Sequence, residues 1–169
     1  MGKEKARRQS GSSANTIIIR EADPGSEMDT VRTLFTEYAE ELGEDLGYQG
    51  FQEELDRLPG EYSHPAGSLY LALVDNVPAG CVALRRIDRT TCEMKRLYVR
   101  PRFRGLGLGH RLVQTIIISG RARNYRTMKL DTLQRLEAAY RLYSRFDFQE
   151  TAPYTANPLS GALFMELEL

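Results

Sequence analysis

Residues 100 to 113 read RPRFRGLGLGHRLV, with Gly105, Gly107 and Gly109 set among arginines just before an apolar helical pattern. A helix N-terminus leaves backbone N–H groups unpaired and carries a partial positive charge. Glycines there remove the Cβ atoms that would hold an anion at a distance. With Arg100, Arg102, Arg104 and Arg111 close by, the stretch has the makings of a phosphate cradle. The same glycines also suit an ordinary strand-to-helix loop. Two familiar phosphate loops fail on spacing. Gly109 is followed by His110 and Arg111, not by Lys-Ser/Thr, and no G-x-G-x-x-G can be counted from Gly105 or Gly107.

The pattern that fits is R-x-x-G-x-G, through Arg104, Gly107 and Gly109. It resembles the pyrophosphate-binding motif of the GNAT superfamily of acyl-CoA-dependent N-acyltransferases. The longer run MKRLYVRPRFRGLGLGHRLV resembles that family's strand, loop and helix in one piece. AAYRLYSRFDF (138–148) is similar to its later A-x-x-L-Y-x-x-x-G-F segment through Ala139, Leu142, Tyr143 and Phe148. Asp147 stands where that segment has glycine, and Leu136 where an asparagine often opens it. The resemblance implies acetyl-CoA as co-substrate and no metal. It implies that the backbone of Leu97, Tyr98 and Val99 pairs with the pantetheine arm. It assigns the pyrophosphate to Arg104, Gly105, Leu106, Gly107, Leu108, Gly109 and His110. It places the thioester where the fourth and fifth strands splay apart.

Amide formation from a thioester needs a neutral amine, stabilisation of an oxyanion and a proton for the leaving thiolate. By the resemblance, Glu93, eleven positions before Arg104, is the expected general base. Tyr143 is the expected acid toward the thiolate, with Tyr140 as a fallback on a neighbouring helix face. A backbone N–H near Val99 would serve the oxyanion. Two plainer readings stand beside these: a buried glutamate paired with a basic neighbour, and a core tyrosine bonded to a backbone carbonyl. His110 reads as a solvated residue near phosphates. Cys81 and Cys92 read as free thiols filling adjacent strands, since neither has metal-type spacing.

These residues need a scaffold. TIIIREA (16–22) predicts a strand, with a helix after a turn capped by Ser26 or Asp29. Val31, Leu34, Phe35, Tyr38 and Leu42 give that helix its apolar face, and Gly43 ends it. Phe51, Leu55 and Leu58 suggest a short second helix. Three strands (68–75, 80–87, 92–99) follow as a meander, because their links are short. Then come a helix (112–122), a strand at TMKLDTL, a helix (137–146), a strand near 148–151 and an alternating strand at 162–169. The order β-α-α-β-β-β-α-β-α-β-β predicts a mixed α/β (α+β) fold, matching the GNAT-like acyltransferase fold, in a single domain over 16–169. Residues 1–15 read as a disordered tail.

At 169 residues the chain can bury a core, and 23 basic residues balance 23 acidic ones. The charges are segregated. Glu21 to Glu61 holds thirteen acids and two bases; Met94 to Leu130 holds ten bases and no acid. The basic stretch suits the phosphates of coenzyme A. A nucleic-acid-binding module is an alternative, opposed by zero net charge and no reader motif. A non-catalytic acyl-CoA sensor is another. The acidic run Glu37, Glu40, Glu41, Glu44 and Asp45, with Glu53, Glu54 and Asp56, points to a small cationic amine as acceptor, or else to a solvated helix face, while Tyr48 and Phe51 could equally shape a pocket for an apolar amine. No apolar run approaches a membrane span and no signal pattern opens the chain, so the expectation is a cytoplasmic protein with no membrane partner. Family members are commonly dimers, so a homodimer is an open expectation.

Overall fold

The computed structural model describes residues 14–169; most of the expected N-terminal tail lies outside the described residues. The elements are β1 (Ile17–Glu21), α1 (Met28–Leu42), α2 (Phe51–Asp56), β2 (Ser68–Val74), β3 (Val77–Arg86), β4 (Thr91–Val99), α3 (Leu108–Ala122), β5 (Thr127–Leu133), α4 (Glu137–Ser144), β6 (Gln149–Glu150) and β7 (Ala162–Glu168). All seven strands join one sheet in the order β1-β2-β3-β4-β5-β7-β6. Only the β4–β5 pair is parallel, and the expected β2–β3–β4 meander is present.

Alternation along the central strands divides the core between two faces. Val82, Leu84, Cys92 and Met94 pack under α3 and α4 with Leu112, Val113 and Ile116. Leu71, Cys81 and Ala83 pack under α1 and α2 with Val31, Leu34 and Phe35. Both cysteines are free and fully buried, as fillers on opposite faces. Burial pushes both thiols up, that of Cys92 to about 12, which suits inert filling.

The helix ends correct the sequence reading in two places. Neither Ser26 nor Asp29 caps α1. Its N-cap is Glu27, without a side-chain cap bond, and Asp23 Oδ1 instead accepts from the N–H groups of Gly25 and Ser26. The C-terminus is as expected, with Gly43 left-handed and its N–H donating to Ala39 O. Helix α3 starts at Leu108, four residues earlier than the apolar pattern indicates, because the glycine stretch itself supplies its first turn.

A bulge in β4 shapes the sheet. Cys81 faces Tyr98 and Ala83 faces Lys95, so Arg96 and Leu97 together oppose Val82 alone. Arg96 adopts φ +57, a left-handed conformation uncommon for a residue with a side chain. Its side chain explains why it is held there. The guanidinium makes two bonds to Glu54, Nε to Oε1 at 3.0 Å and Nη2 to Oε2 at 2.6 Å. It also lies over the rings of Phe51 and Tyr38. Before the bulge, Thr91–Glu93 pair with Thr127–Lys129; beyond Glu93 the two strands part. Among the described residues, the β5-facing edge of Leu97–Val99 is left without a strand partner. No helix among the described residues is long and apolar enough to cross a membrane.

Candidate functional site

The parting of β4 and β5 opens a cleft of about 340 Å³. Leu97, Tyr98, Val99, Arg104, Gly109 and Tyr143 all line it. The sequence therefore names six residues that the fold brings to one place from β4, the following loop, α3 and α4.

At the loop end, Gly105 (φ +83) and Gly107 (φ +76) are left-handed, and a Cβ added at either would meet nothing within 4 Å. Glycine is needed here for backbone conformation, not for packing. The first intrahelical bond of α3 runs from Arg111 N–H to Gly107 O, so the N–H groups from Gly107 to His110 begin the helix without intrahelical partners. Leu106 and His110 are exposed, and His110 stacks on Phe146 at 4.5 Å. Leu108 is buried in the core, so only its backbone can serve a ligand. Arg104 bonds Val99 O through Nε (3.0 Å) and Glu41 through Nη2 (2.5 Å). Arg100 does not join the cradle: it makes two bonds to Glu37 and one to Pro78 O.

We predict that Gly107→Glu abolishes measurable acetyl-CoA binding in a folded protein. The change strains a left-handed position and adds negative charge beside the free N–H groups. Calorimetric titration tests this, and wild-type affinity would show that phosphates do not sit there.

Tyr143 is 8% exposed and meets the edge of Phe148. Its hydroxyl has no hydrogen-bond partner among the described residues and is not sealed from the cleft. The reading of a core tyrosine bonded to a carbonyl therefore does not describe it. Burial above all, with smaller effects from Tyr38 and Asp131, pushes its pKa well up, which keeps the phenol protonated. Tyr140 turns to the surface instead, where its hydroxyl donates to Glu150.

Glu93 is 1% exposed, with both oxygens engaged. Arg85 Nε donates to Oε2 at 2.6 Å and the Tyr154 hydroxyl to Oε1 at 2.8 Å. Lys95 Nζ lies 4.0 Å from Oε1. This is the paired arrangement of the plainer reading.

A smaller, more enclosed cavity of about 90 Å³ adjoins the cleft and shares Tyr38, Leu97, Ala139 and Tyr143 with it. Its polar lining is Lys95, Arg96, Asp131, Gln49, Tyr48 and Asn157. Of these six, only Tyr48 is among the residues read from the sequence, as an aromatic of an acceptor pocket. Asp131 and Lys95 did carry a visible signal, as charged residues inside apolar strands. Gln49 and Asn157 sit on connections, where no period marks them.

Half of the acidic run, four of its eight carboxylates, is neutralised by ion pairs. Glu37 pairs with Arg100, Glu41 with Arg104, Glu44 with Arg135 and Glu54 with Arg96. The charge segregation seen in the sequence is thus folded into ion pairs between α1, α2 and the strand-and-loop stretch. Among the described residues no cluster of His, Cys, Asp or Glu could hold a metal ion.

Comparison with known proteins agrees with this architecture. Residues 28–148 match the model of the acetyltransferase (GNAT) family. An uncharacterized N-acetyltransferase of Schizosaccharomyces pombe is 41% identical over 157 residues, covering 92% of this chain and 96% of that protein. One from Dictyostelium discoideum is 32% identical, covering 90% of this chain and all (100%) of that one. The N-acetylaspartate synthetase of Danio rerio is 33% identical over 99 residues, 56% of this chain and 35% of that protein. Among solved structures, an acetyltransferase from Streptococcus agalactiae superposes with a TM-score of 0.76 at 20% identity, covering 90% of this chain and 98% of that one. The yncA protein of Salmonella typhimurium, solved with its cofactor acetyl-CoA, does so with 0.64 at 21% identity, covering 90% and 93%. The chain belongs to the acetyltransferase (GNAT) family.

Proposed function

We propose that this chain moves an acetyl group from acetyl-CoA to the primary amine of a small acceptor, by direct attack within the parted β4–β5 strands. One observation carries the reading: Tyr143, whose hydroxyl has no partner among the described residues, lines both the cleft and the enclosed cavity. The open edge of Leu97–Val99 suits the pantetheine arm, and the N–H groups opening α3, with Arg104, suit the pyrophosphate. Acetyl-CoA laid this way brings its thioester to Tyr143, with the acceptor on the cavity side.

The amine nitrogen attacks the thioester carbonyl, a C–N bond forms and the C–S bond breaks. The nitrogen loses one proton to solvent, the departing sulfur takes one from Tyr143, and solvent returns a proton to the Tyr143 oxygen. A backbone N–H near Val99 faces the oxygen that becomes negative. Glu93 enters this scheme in a different role from the expected base. With both oxygens engaged it holds Arg85, Tyr154 and Lys95 in place, and so acts as a positioning residue for the cavity wall.

Acetylation rates of Glu93→Gln across pH separate the two roles. A positioning residue predicts a fall in kcat/KM of similar size at every pH. A loss concentrated at low pH, recovering as the amine deprotonates itself, would make Glu93 the base. The wider reading is tested by thiol release from acetyl-CoA over an amine panel: release only with an amine present is expected, and none with any amine would overturn it.

A further inference from the structure

The inward carboxylates of this fold are almost all matched to cations. Glu37, Glu54 and Glu93 each face an arginine. Asp131 is the exception. It is half-buried on β5 and lines the enclosed cavity. Asn157 Nδ2 donates to its Oδ2 at 2.8 Å, which fixes the orientation of the carboxylate. Its Oδ1 accepts no side-chain hydrogen bond, and no lysine or arginine pairs with it, among the described residues. A carboxylate held at a cavity wall with no cation in direct contact, and only the longer-range charge of Lys95 against it, is costly unless a ligand supplies a closer counter-charge.

Across the parted strands stands the opposite charge. Lys95 on β4 is 7% exposed and lines the same cavity. An ammonium has three N–H donors. Gln49 Oε1 accepts one at 3.0 Å, and Glu93 is only within ionic distance at 4.0 Å. Donor capacity remains on the cavity side. Burial lowers the pKa of Lys95, with Glu93 and Asp131 opposing it, so an anion at this point would further favour its charged form. Arg96, the other cation of the lining, is already paired with Glu54.

We propose that this cavity binds the acceptor as a zwitterion of amino-acid type, its ammonium on Asp131 Oδ1 and its carboxylate on Lys95. The proposal deepens the acetyl-transfer reading and rests on it. The ammonium, held against Asp131, releases one proton to solvent and becomes the neutral nucleophile beside the thioester. The small volume limits the acceptor to a compact molecule. The positive Lys95 wall disfavours a second ammonium, so polyamines fit poorly. The cationic end expected from the sequence is retained, but its anchor is Asp131 on β5 and not the acidic run of α1.

The experiment uses the full chain with acetyl-CoA and follows thiol release. The acceptors are free amino acids, the amines left by their decarboxylation, spermidine and a lysine peptide. Zwitterions should have the higher kcat/KM. Lys95→Met should erase most of their advantage over the matching decarboxylated amines, roughly a tenfold to hundredfold change in that ratio, as expected for losing a charge-assisted bond. Asp131→Asn, which keeps the shape and the Asn157 contact, should raise KM for every acceptor while leaving the acetyl-CoA dissociation constant unchanged. Should either substitution unfold the chain, wild-type preference alone decides. A preference for decarboxylated amines, spermidine or peptide overturns the zwitterion site while the acetyltransferase reading stands. So does silence toward every free amino acid while acetyl-CoA still binds. Failure to bind acetyl-CoA would instead remove both.

Discussion

Tyr143→Phe is expected to lower kcat by roughly tenfold to a thousandfold, with little change in acetyl-CoA affinity. The substitution removes one oxygen and leaves the ring against Phe148. Because that hydroxyl bonds to no protein group among the described residues, its loss leaves no partner stranded, and stability should hardly move. The effect therefore reads on chemistry alone. Steady-state kinetics, paired with a single-turnover measurement to establish that chemistry is rate-limiting, checks it. An unchanged kcat under those conditions would demote Tyr143 to packing.

The second large effect is on stability. Glu54→Ala leaves the Arg96 guanidinium, 2% exposed, without its ion-pair partner. Breaking a buried pair from one side costs about 3–5 kcal/mol, a large share of the roughly 5–15 kcal/mol that holds a domain folded. The urea midpoint should fall accordingly, and the β4 bulge should loosen with it, since Glu54 helps fix Arg96 at positive φ. The same pair sets an acid limit. Burial tends to raise the pKa of Glu54, but the bonds and charge of Arg96 outweigh it and hold it below the usual 4.5. A lowered carboxylate adds stability above its ordinary pKa, and that stability is lost as pH falls through the folded value. The wild type should therefore lose stability below about pH 4 more steeply than Glu54→Gln. A Glu54→Ala midpoint equal to wild type would mean that the pair contributes nothing net.

The elements were legible because their signals are local. The period of Val31, Leu34, Phe35, Tyr38 and Leu42, the alternation of ALFMELEL and the glycine at 43 each report on a few neighbouring residues. The proposed cofactor side could be read for the same reason: Leu97 to His110 form one continuous stretch, so strand edge, loop and helix start were read together. The start of α3 was placed late because glycines read as loop, although positive φ at Gly105 and Gly107 is what lets the helix begin there. The cavity proposed for the acceptor was not legible. Lys95, Asp131, Gln49 and Asn157 come from four separate segments and meet only through the bulge, the parting of the strands and the segment before β7. The acidic run misled for a related reason. Its partners Arg96, Arg100, Arg104 and Arg135 lie far along the chain, and a count of charge by segment cannot show that the segments neutralise each other.

The central claim is acetyl transfer from acetyl-CoA to an amine within this cleft. The direct measurement is mass spectrometry of an amine panel after incubation with isotopically labelled acetyl-CoA, with wild type and Tyr143→Phe side by side. The account predicts the labelled acetyl group on an acceptor nitrogen with wild type and much slower labelling with the variant. Wild-type protein that binds acetyl-CoA yet labels no amine would contradict it.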